Sequence, residues 1–324
     1  MLFLNKITPL PSSTLYNLKM YLHFKNYFMK ILLSLIWIAF SFTICAQQKQ
    51  VPLLINKDQN SLLWEVSGNG LTKSTYLFGT FHLMCKDEIN FSSQLKTAVQ
   101  NSSKVYLELD MDDPNMMLSG LMMMNMKNGK KLSDLYTATE YSKLKGYFKD
   151  SLKMPFSFFE SMKPFLLVAM LYPKMMPCKT VSGIEEELMK FAKLNKKEIK
   201  GLETLQQQAA VFDSIPYKEQ AKELLKSIDS MKANKKEFET MLSVYKSQRL
   251  AAIEALFNKN EFGLQKHEDL LLYNRNKNWV KQLKIIMQAD PVFVAVGAAH
   301  LVGNKGLIAL LKKEGYRVRP LINK

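Results

Sequence analysis

Histidine and cysteine are both scarce in this chain of 324 residues, and their scarcity narrows the chemistry open to it. There are four histidines (His23, His82, His267 and His300) and three cysteines (Cys45, Cys85 and Cys178). No His-Glu-x-x-His occurs, which excludes a zincin helix. No Gly-x-Ser-x-Gly occurs, which removes the nucleophile elbow of serine hydrolases, and no glycine-rich phosphate loop is present to cradle a nucleotide. Acids are in deficit as well: 29 Asp and Glu stand against 45 Lys and Arg, a net charge of +16. The basic excess lies mostly in lysine-rich stretches such as 190–200 and 222–246, with acids interleaved. That is the pattern of solvated helix faces; without a stripe of arginine and aromatics it excludes nucleic acid as a partner. A positive excess does favour encounter with anionic surfaces, a membrane face among them. The chain has no apolar run of the about 20 residues that a stable membrane span needs. It also lacks any repeat of fixed period and any low-complexity tract.

What is present begins with an export signal. Met29-Lys30 precedes the short apolar run Ile31–Phe40, then Ser41 to Ala46, then the polar exit Gln47-Gln48-Lys49-Gln50. A basic residue, a short apolar core and a polar exit form the secretory pattern. Residues 1–28 match no standard leader, which points to Met29 as the true start, with Met1 as the alternative. Residues 1–46 therefore read as a leader containing a signal peptide at 29–46, cleaved after Ala46. The alternative is lipid anchoring at Cys45, with Ile44 standing where a small residue is wanted. The mature protein is expected in the periplasm or secreted, or anchored through Cys45. Export into an oxidising compartment leaves Cys85 and Cys178 to pair as a disulfide, pinning the loop after His82 to the region near Pro177. The other reading is two small unpaired thiols buried as hydrophobes.

Hydrophobic residues make up 47% of the chain, enough for a sizeable core. Leu62–Ser67 alternates apolar and polar and reads as a strand; the turn Gly68-Asn69-Gly70 then forms a hairpin into a second strand over 75–81. A helix follows over 92–102, capped by Ser92 or Ser93. Lys104–Asp110 is a strand. The methionine-rich segment 115–126, with Met116, Met117, Met122, Met123, Met124 and Met126, reads as a helix packed on the core. Helices are expected over 139–149, 163–175 (Pro164 at its start), 183–194, 216–234, 235–257 and 270–288, and a short strand over 198–203 leads to a helix capped by Thr204. The C-terminal unit is strand (292–296), helix (304–314), the stop at Gly315, then strand (316–319), which predicts a parallel pair. The fold class is thus α/β, a mixed central sheet in a domain over 47–324, with a large helical insertion at about 115–260.

Two histidines stand out by context. Tyr76-Leu77-Phe78-Gly79-Thr80-Phe81-His82 and Val292-Phe293-Val294-Ala295-Val296-Gly297-Ala298-Ala299-His300 are both apolar strands that run into Gly-x-x-His. In open α/β sheets ligands bind at the carboxyl ends of strands, and a glycine there lets backbone or ligand approach closely. Two neutral imidazoles with a carboxylate suit a divalent transition metal. Glu108 is the preferred carboxylate, an acid near the end of an apolar strand. Glu203 ends another strand, where a helix dipole would favour it. Arg275 is a candidate for holding an oxyanion or a substrate carboxylate. A Cys85–His nucleophile conflicts with export.

Taken together, Phe78-Gly79-Thr80-Phe81-His82, Tyr106–Asp110, Gly201-Leu202-Glu203-Thr204 with Gln207, Arg275-Asn276 with Trp279, and Val296–Gly303 resemble the TraB/GumN family, which includes the TIKI metal-dependent proteases acting on Wnt ligands. The resemblance runs in order over about 62–320. It implies a fold similar to the erythromycin esterase and ChaN-like proteins, and a divalent-metal site of His82, His300 and Glu108. Glu203, Arg275 and Asn276 match further polar positions, with Gly79 and Gly297 as the motif glycines. The chain departs from the pattern in the acid run Glu185-Glu186-Glu187 and in Gln206-Gln207-Gln208, where the matching glutamine is blurred. The expected function is an exported hydrolase using Mn, Co or Zn, a peptidase first, with peptides or proteins as substrates. Glu108 would be ligand or general base, and Arg275 and Glu203 would be further catalytic groups. The alternative is a haem- or iron-binding module of ChaN-like type, and a scaffold without chemistry is the third reading.

Overall fold

The computed structural model describes residues 60–114, 120, 123–258 and 265–324. The expected signal peptide at 29–46, Cys45, and Met116, Met117 and Met122 lie outside the described residues. The strands are β1 (Leu63–Ser67), β2 (Thr75–Thr80), β3 (Met84–Cys85), β4 (Lys104–Leu109), β5 (Val181–Ser182), β6 (Glu198–Glu203), β7 (Val292–Gly297) and β8 (Arg317–Pro320). Six of them form one sheet in the order β6-β4-β7-β2-β1-β8. β6, β4, β7 and β2 are parallel, whereas β1 runs antiparallel to both β2 and β8. β7 is buried along all but its last residue. Its sequence Val-Phe-Val-Ala-Val explains this, since a central parallel strand is covered on both faces and needs no polar alternation.

The two faces carry two cores. Phe293 and Ala295 of β7 point into the larger, with Phe78, Val105 and Leu107. It packs against α1 (Ser93–Asn101), α2 (Ala138–Tyr147), α3 (Pro164–Ala169), α4 (Tyr172–Met175), α5 (Ile184–Leu194), α7 (Tyr217–Asp229), α8 (Met231–Lys246) and α9 (Leu250–Phe257). Val292, Val294 and Val296 point the other way, against Trp279, Val280, Leu283 and Met287 of α10 (Asn274–Ala289) and Leu307, Ile308 and Leu311 of α11 (Leu307–Lys313). The remaining helix, α6 (Leu205–Asp213), follows β6 directly.

Local chemistry sets many of these boundaries. Ser92 Oγ accepts from Leu95 N and caps α1. Thr204 and Gln207 form a reciprocal capping box at α6. Gly68, Asn69 and Gly70 all have positive φ, which the β1–β2 turn requires. The expected helix over 163–175 is two helices, α3 and α4, because Pro173 has no N–H to continue the first. The expected helix over 235–257 also breaks, at Gln248 with φ 56°. The stretch 115–260 is not helical throughout: it contains β5 and the sheet strand β6. The expected parallel pairing of the last two strands is corrected. β7 and β8 run in the same direction, but β2 and β1 lie between them, and β8 pairs antiparallel with β1.

In the helical layer, a buried ion pair joins Lys163 to Asp213 at 2.9 Å. Fully buried Gln220 ties Phe165 N to the Phe212 and Ile215 carbonyls. Cys85 and Cys178 form a disulfide with Cα atoms 5.8 Å apart. It sits beside the β3–β5 ribbon, which joins the segment after His82 to the segment before α5.

Candidate metal centre at the carboxyl ends of the parallel strands

The sheet order decides what meets. β6, β4, β7 and β2 are adjacent and parallel, so Glu203, Glu108, His300 and His82 all emerge at one end. Thr80 pairs with Gly297, and Leu109 with Glu203, so the strands end nearly level. Gly79 makes room for the turn that carries His300. A Cβ there would lie 2.9 Å from Leu301 Cδ1 and 3.1 Å from Ala298 Cα. The Gly79 carbonyl accepts from the buried Tyr245 hydroxyl of α8 at 2.8 Å. Gly297 is different: a Cβ there would point into the site, 3.4 Å from Glu108 Oε1, 3.7 Å from His300 Cδ2 and 3.8 Å from His82 Nε2. The absent side chain of Gly297 is therefore a cradle with those three residues around it.

Each imidazole is oriented through its Nδ1. His82 Nδ1 lies 2.7 Å from Glu185 Oε1, which also accepts from Thr80 Oγ1 at 2.6 Å. Glu185 is held there because it stands in the first turn of α5, whose start is tied by Ile184 N to the Phe81 carbonyl. His300 Nδ1 lies 2.6 Å from Asn276 Oδ1, and the Asn276 amide donates to the carbonyls of His300 and Lys305. Both rings thus donate from Nδ1; Nε2 is an acceptor in neutral His300, and in His82 whenever that ring is neutral, and such Nδ1 partners are what orient metal-binding histidines. The rings differ in exposure. About three quarters of the His82 side chain (74%) is open to solvent, whereas His300 keeps only 4%.

Arg275, on the first turn of α10, joins the two glutamates. Its Nε and Nη2 donate to Glu203 at 3.1 and 2.5 Å, Nη2 also to Glu108 Oε2 at 2.5 Å, and Nη1 to the Leu271 carbonyl at 2.8 Å. Nη1 also lies 3.2 Å from His300 Nε2. All five guanidinium N–H groups are accounted for within the chain. As the side chains stand, these donors serve the chain's own acceptors, and Glu203, just before the Thr204 cap of α6, is a partner of Arg275. Trp279, one turn along α10, stacks under both, its ring 4.4 Å from the His300 ring and 4.7 Å from the guanidinium carbon.

These contacts set the ionisation. Burial disfavours the His300 cation, Arg275 and His82 add to this, and Glu108 only partly opposes it, so its pKa falls to about 3. Packing around the His82 ring also works against its cation, but the Glu185 hydrogen bond and charge, with Glu108 behind, lift it to about 9. Burial would raise Glu108; the charges of His300, Arg275 and His82 and the Gly297 N–H at 2.8 Å outweigh it and hold the carboxylate at about 2. Burial raises Glu203, against the hydrogen bonds from Arg275.

The donor set fits a divalent transition metal in kind: two imidazole Nε2 atoms and a carboxylate oxygen around one cradle. As the side chains stand, no three His, Cys, Asp or Glu among the described residues sit at coordinating distance. The contacts say why. Glu185 favours the His82 cation, and His300 Nε2 accepts from Arg275 Nη1 at 3.2 Å; a metal held here would need both nitrogens free. Sequence reasoning had placed Glu185 only within an acid run, and Thr80 not at all; the first-turn position of Glu185 in a helix following Gly183 was the available signal.

The site defines an α/β protein with a buried histidine–glutamate–arginine cluster at the carboxyl ends of four parallel strands. The chain belongs to the TraB/PrgY/gumN family, whose model matches residues 62–320. It is similar to "Metalloprotease TIKI2" of Danio rerio, 25% identical over 81% of this chain and 61% of that protein. It is also similar to "Metalloprotease TIKI1" of Danio rerio, 24% identical over 81% of this chain and 63% of that protein. The chain thus spans about three-fifths of the length of these relatives. No solved structure matches it. Among the described residues, no helix is long and apolar enough to cross a membrane.

Proposed function

We propose that this chain is an exported metal-dependent hydrolase acting on peptide bonds, with His82, His300 and Glu108 holding a divalent ion. The observation that carries the reading is the Gly297 cradle, ringed by His82 Nε2, His300 and Glu108 Oε1. The names of the two relatives support the reaction class. A divalent ion at such a site lowers the pKa of water and polarises a carbonyl. The chain's own residues do the rest. Glu185 holds His82 with Nε2 at the cradle, Asn276 holds the His300 ring against it, and the Gly297 N–H fixes Glu108 Oε1 beside it. Glu108 serves as ligand or as general base from this position. Arg275 bridges Glu108 and Glu203 through Nη2, and so acts as a positioning residue. Export rests on the 29–46 leader pattern.

The test is a peptide-library digest with Mn, Co or Zn, comparing wild type with His82→Ala. Metal-stimulated cleavage that His82→Ala abolishes supports the reading. Absence of cleavage with every metal, together with a Soret shift on adding haem, moves the chain to the haem-binding class instead.

A further inference from the structure

Two cavities open beside the Glu203–Arg275 end of the site. One, of about 640 Å³, runs along β6 and the first turn of α6, from Lys200 to Gln207. The other, of about 240 Å³, continues between α6 and α10 toward Arg275 and Trp279. They share Leu202, Glu203, Gln207 and Gln282, so they form one groove. Its volume lies in the range of ligand sites.

The groove is unlike the rest of this surface. In a chain with 45 Lys and Arg, the cations lining it are Lys200, paired with Glu198 at 2.7 Å, and Arg275, engaged by two glutamates. Three carboxylates, Asp110, Asp113 and Glu203, line it as well, so an anionic ligand would be repelled there. The α10 wall instead presents three amides one turn apart, Asn274, Asn278 and Gln282, all exposed and making no side-chain hydrogen bond among the described residues. Amides both donate and accept, which suits an uncharged ligand with alternating donors and acceptors. The floor is the edge strand of the sheet. β6 pairs only with β4, and among the described residues nothing pairs with its outer side. Alternate residues of such a strand turn N–H and C=O outward, a template for another chain.

We infer that this groove takes an extended peptide segment free of acidic residues that adds as a strand to the outer edge of β6, with its far side reached by Asn274, Asn278 and Gln282. This mode of recognition uses main-chain hydrogen bonds for affinity. β6 ends at Glu203, so a strand added there leads to the Arg275 cluster and the Gly297 cradle. The inference deepens the proposed peptidase reading and rests on it for the link to cleavage.

The test uses the full chain carrying His82→Ala, to prevent turnover, and a library of random decapeptides without Asp or Glu. The best-retained decapeptide is then made in two N-methylated forms, one on the odd and one on the even amides. Strand addition predicts parity: one form loses at least about tenfold in affinity through several missing hydrogen bonds, and the other binds as before. Hydrogen exchange in segment 198–204 should slow on binding the unmodified decapeptide. Gln282→Lys, at an exposed position, should weaken binding about fivefold by loss of one hydrogen bond, with an unchanged melting temperature. Equal binding of both N-methylated forms, unprotected β6 amides, or no retained decapeptide overturns the inference. Cleavage by wild type with β6 unprotected removes the groove and keeps the hydrolase; protection and parity without cleavage under any metal keeps the groove and removes the hydrolase.

Discussion

Replacing Arg275 by methionine removes the cation while keeping much of the aliphatic volume against Trp279, and its cost follows from burial. The side chains of Arg275, Glu108 and Glu203 are 13%, 13% and 7% exposed. Arg275 Nη2 bonds both carboxylates at 2.5 Å. Without it, two buried carboxylates face each other with no counter-charge. Breaking a buried pair by removing one partner costs about 3–5 kcal/mol. For a chain of this size, at about 2 cal/mol/K of unfolding entropy per residue, that corresponds to a fall in melting temperature of roughly 4–9 °C. Denaturant unfolding at neutral pH and thermal unfolding should both report it. The deficit should shrink on acidification. The orphaned carboxyls take up protons in the native state more readily than in the unfolded chain, so the variant's stability falls as pH rises. Adding Glu203→Gln should recover part of the loss, giving a coupling energy of roughly 0.5–3 kcal/mol between the sites. A loss below about 1 kcal/mol, the value of an exposed pair, would refute the reasoning that Arg275 clamps two buried acids.

Three further outcomes are expected. Gly297→Ala should leave stability within about 1 kcal/mol, because its contacts at 3.4 Å and beyond are ordinary, yet filling the cradle should cut Zn or Mn affinity at least about tenfold by calorimetry. Unchanged affinity would remove the cradle from the metal site. Cys178→Ser should cost about 2–4 kcal/mol by releasing a 93-residue separation, and reducing the wild type should reproduce the same denaturant midpoint. Asp213 is buried, which alone would raise its pKa, but the Tyr217 hydroxyl and Lys163 and Lys127 hold it below the usual carboxylate value. Its contribution is therefore present above about pH 4 and lost as pH falls through the folded pKa, so Asp213→Asn should flatten the acid limb of the stability curve. An acid limb of wild-type slope would contradict this.

Much of the fold was legible because its signals are local. The buried strands Tyr76–Phe81 and Val292–Val296 show as β-rich apolar runs, and Ser92 and Thr204 mark helix starts by their own side-chain bonds. The last strand was misplaced for a reason of the same kind. A strand-helix-strand pattern gives direction but not neighbours, and the β1–β2 hairpin fills the space beside β7 that β8 was expected to take. Helix breaks at Pro173 and Gln248 were missed where apolar periodicity continues across them.

The sequence by itself determined the two Gly-x-x-His strand ends and the strand glutamates, since residue type and period within ten positions suffice to mark them; the pairing of Cys85 with Cys178, 93 residues apart, was settled by the fold. Only the tertiary structure decided what those groups do to one another. Glu185 lies 103 residues from His82, and Arg275 lies 72 residues from Glu203 and 167 from Glu108. Each contact depends on the order of parallel strands and on which helix turn lands over their ends. Burial then makes the contacts consequential. The same low-dielectric setting that drives His300 down to about 3 lets Arg275 hold Glu108 at about 2, and so leaves a guanidinium, rather than an open donor, at the centre of the cluster.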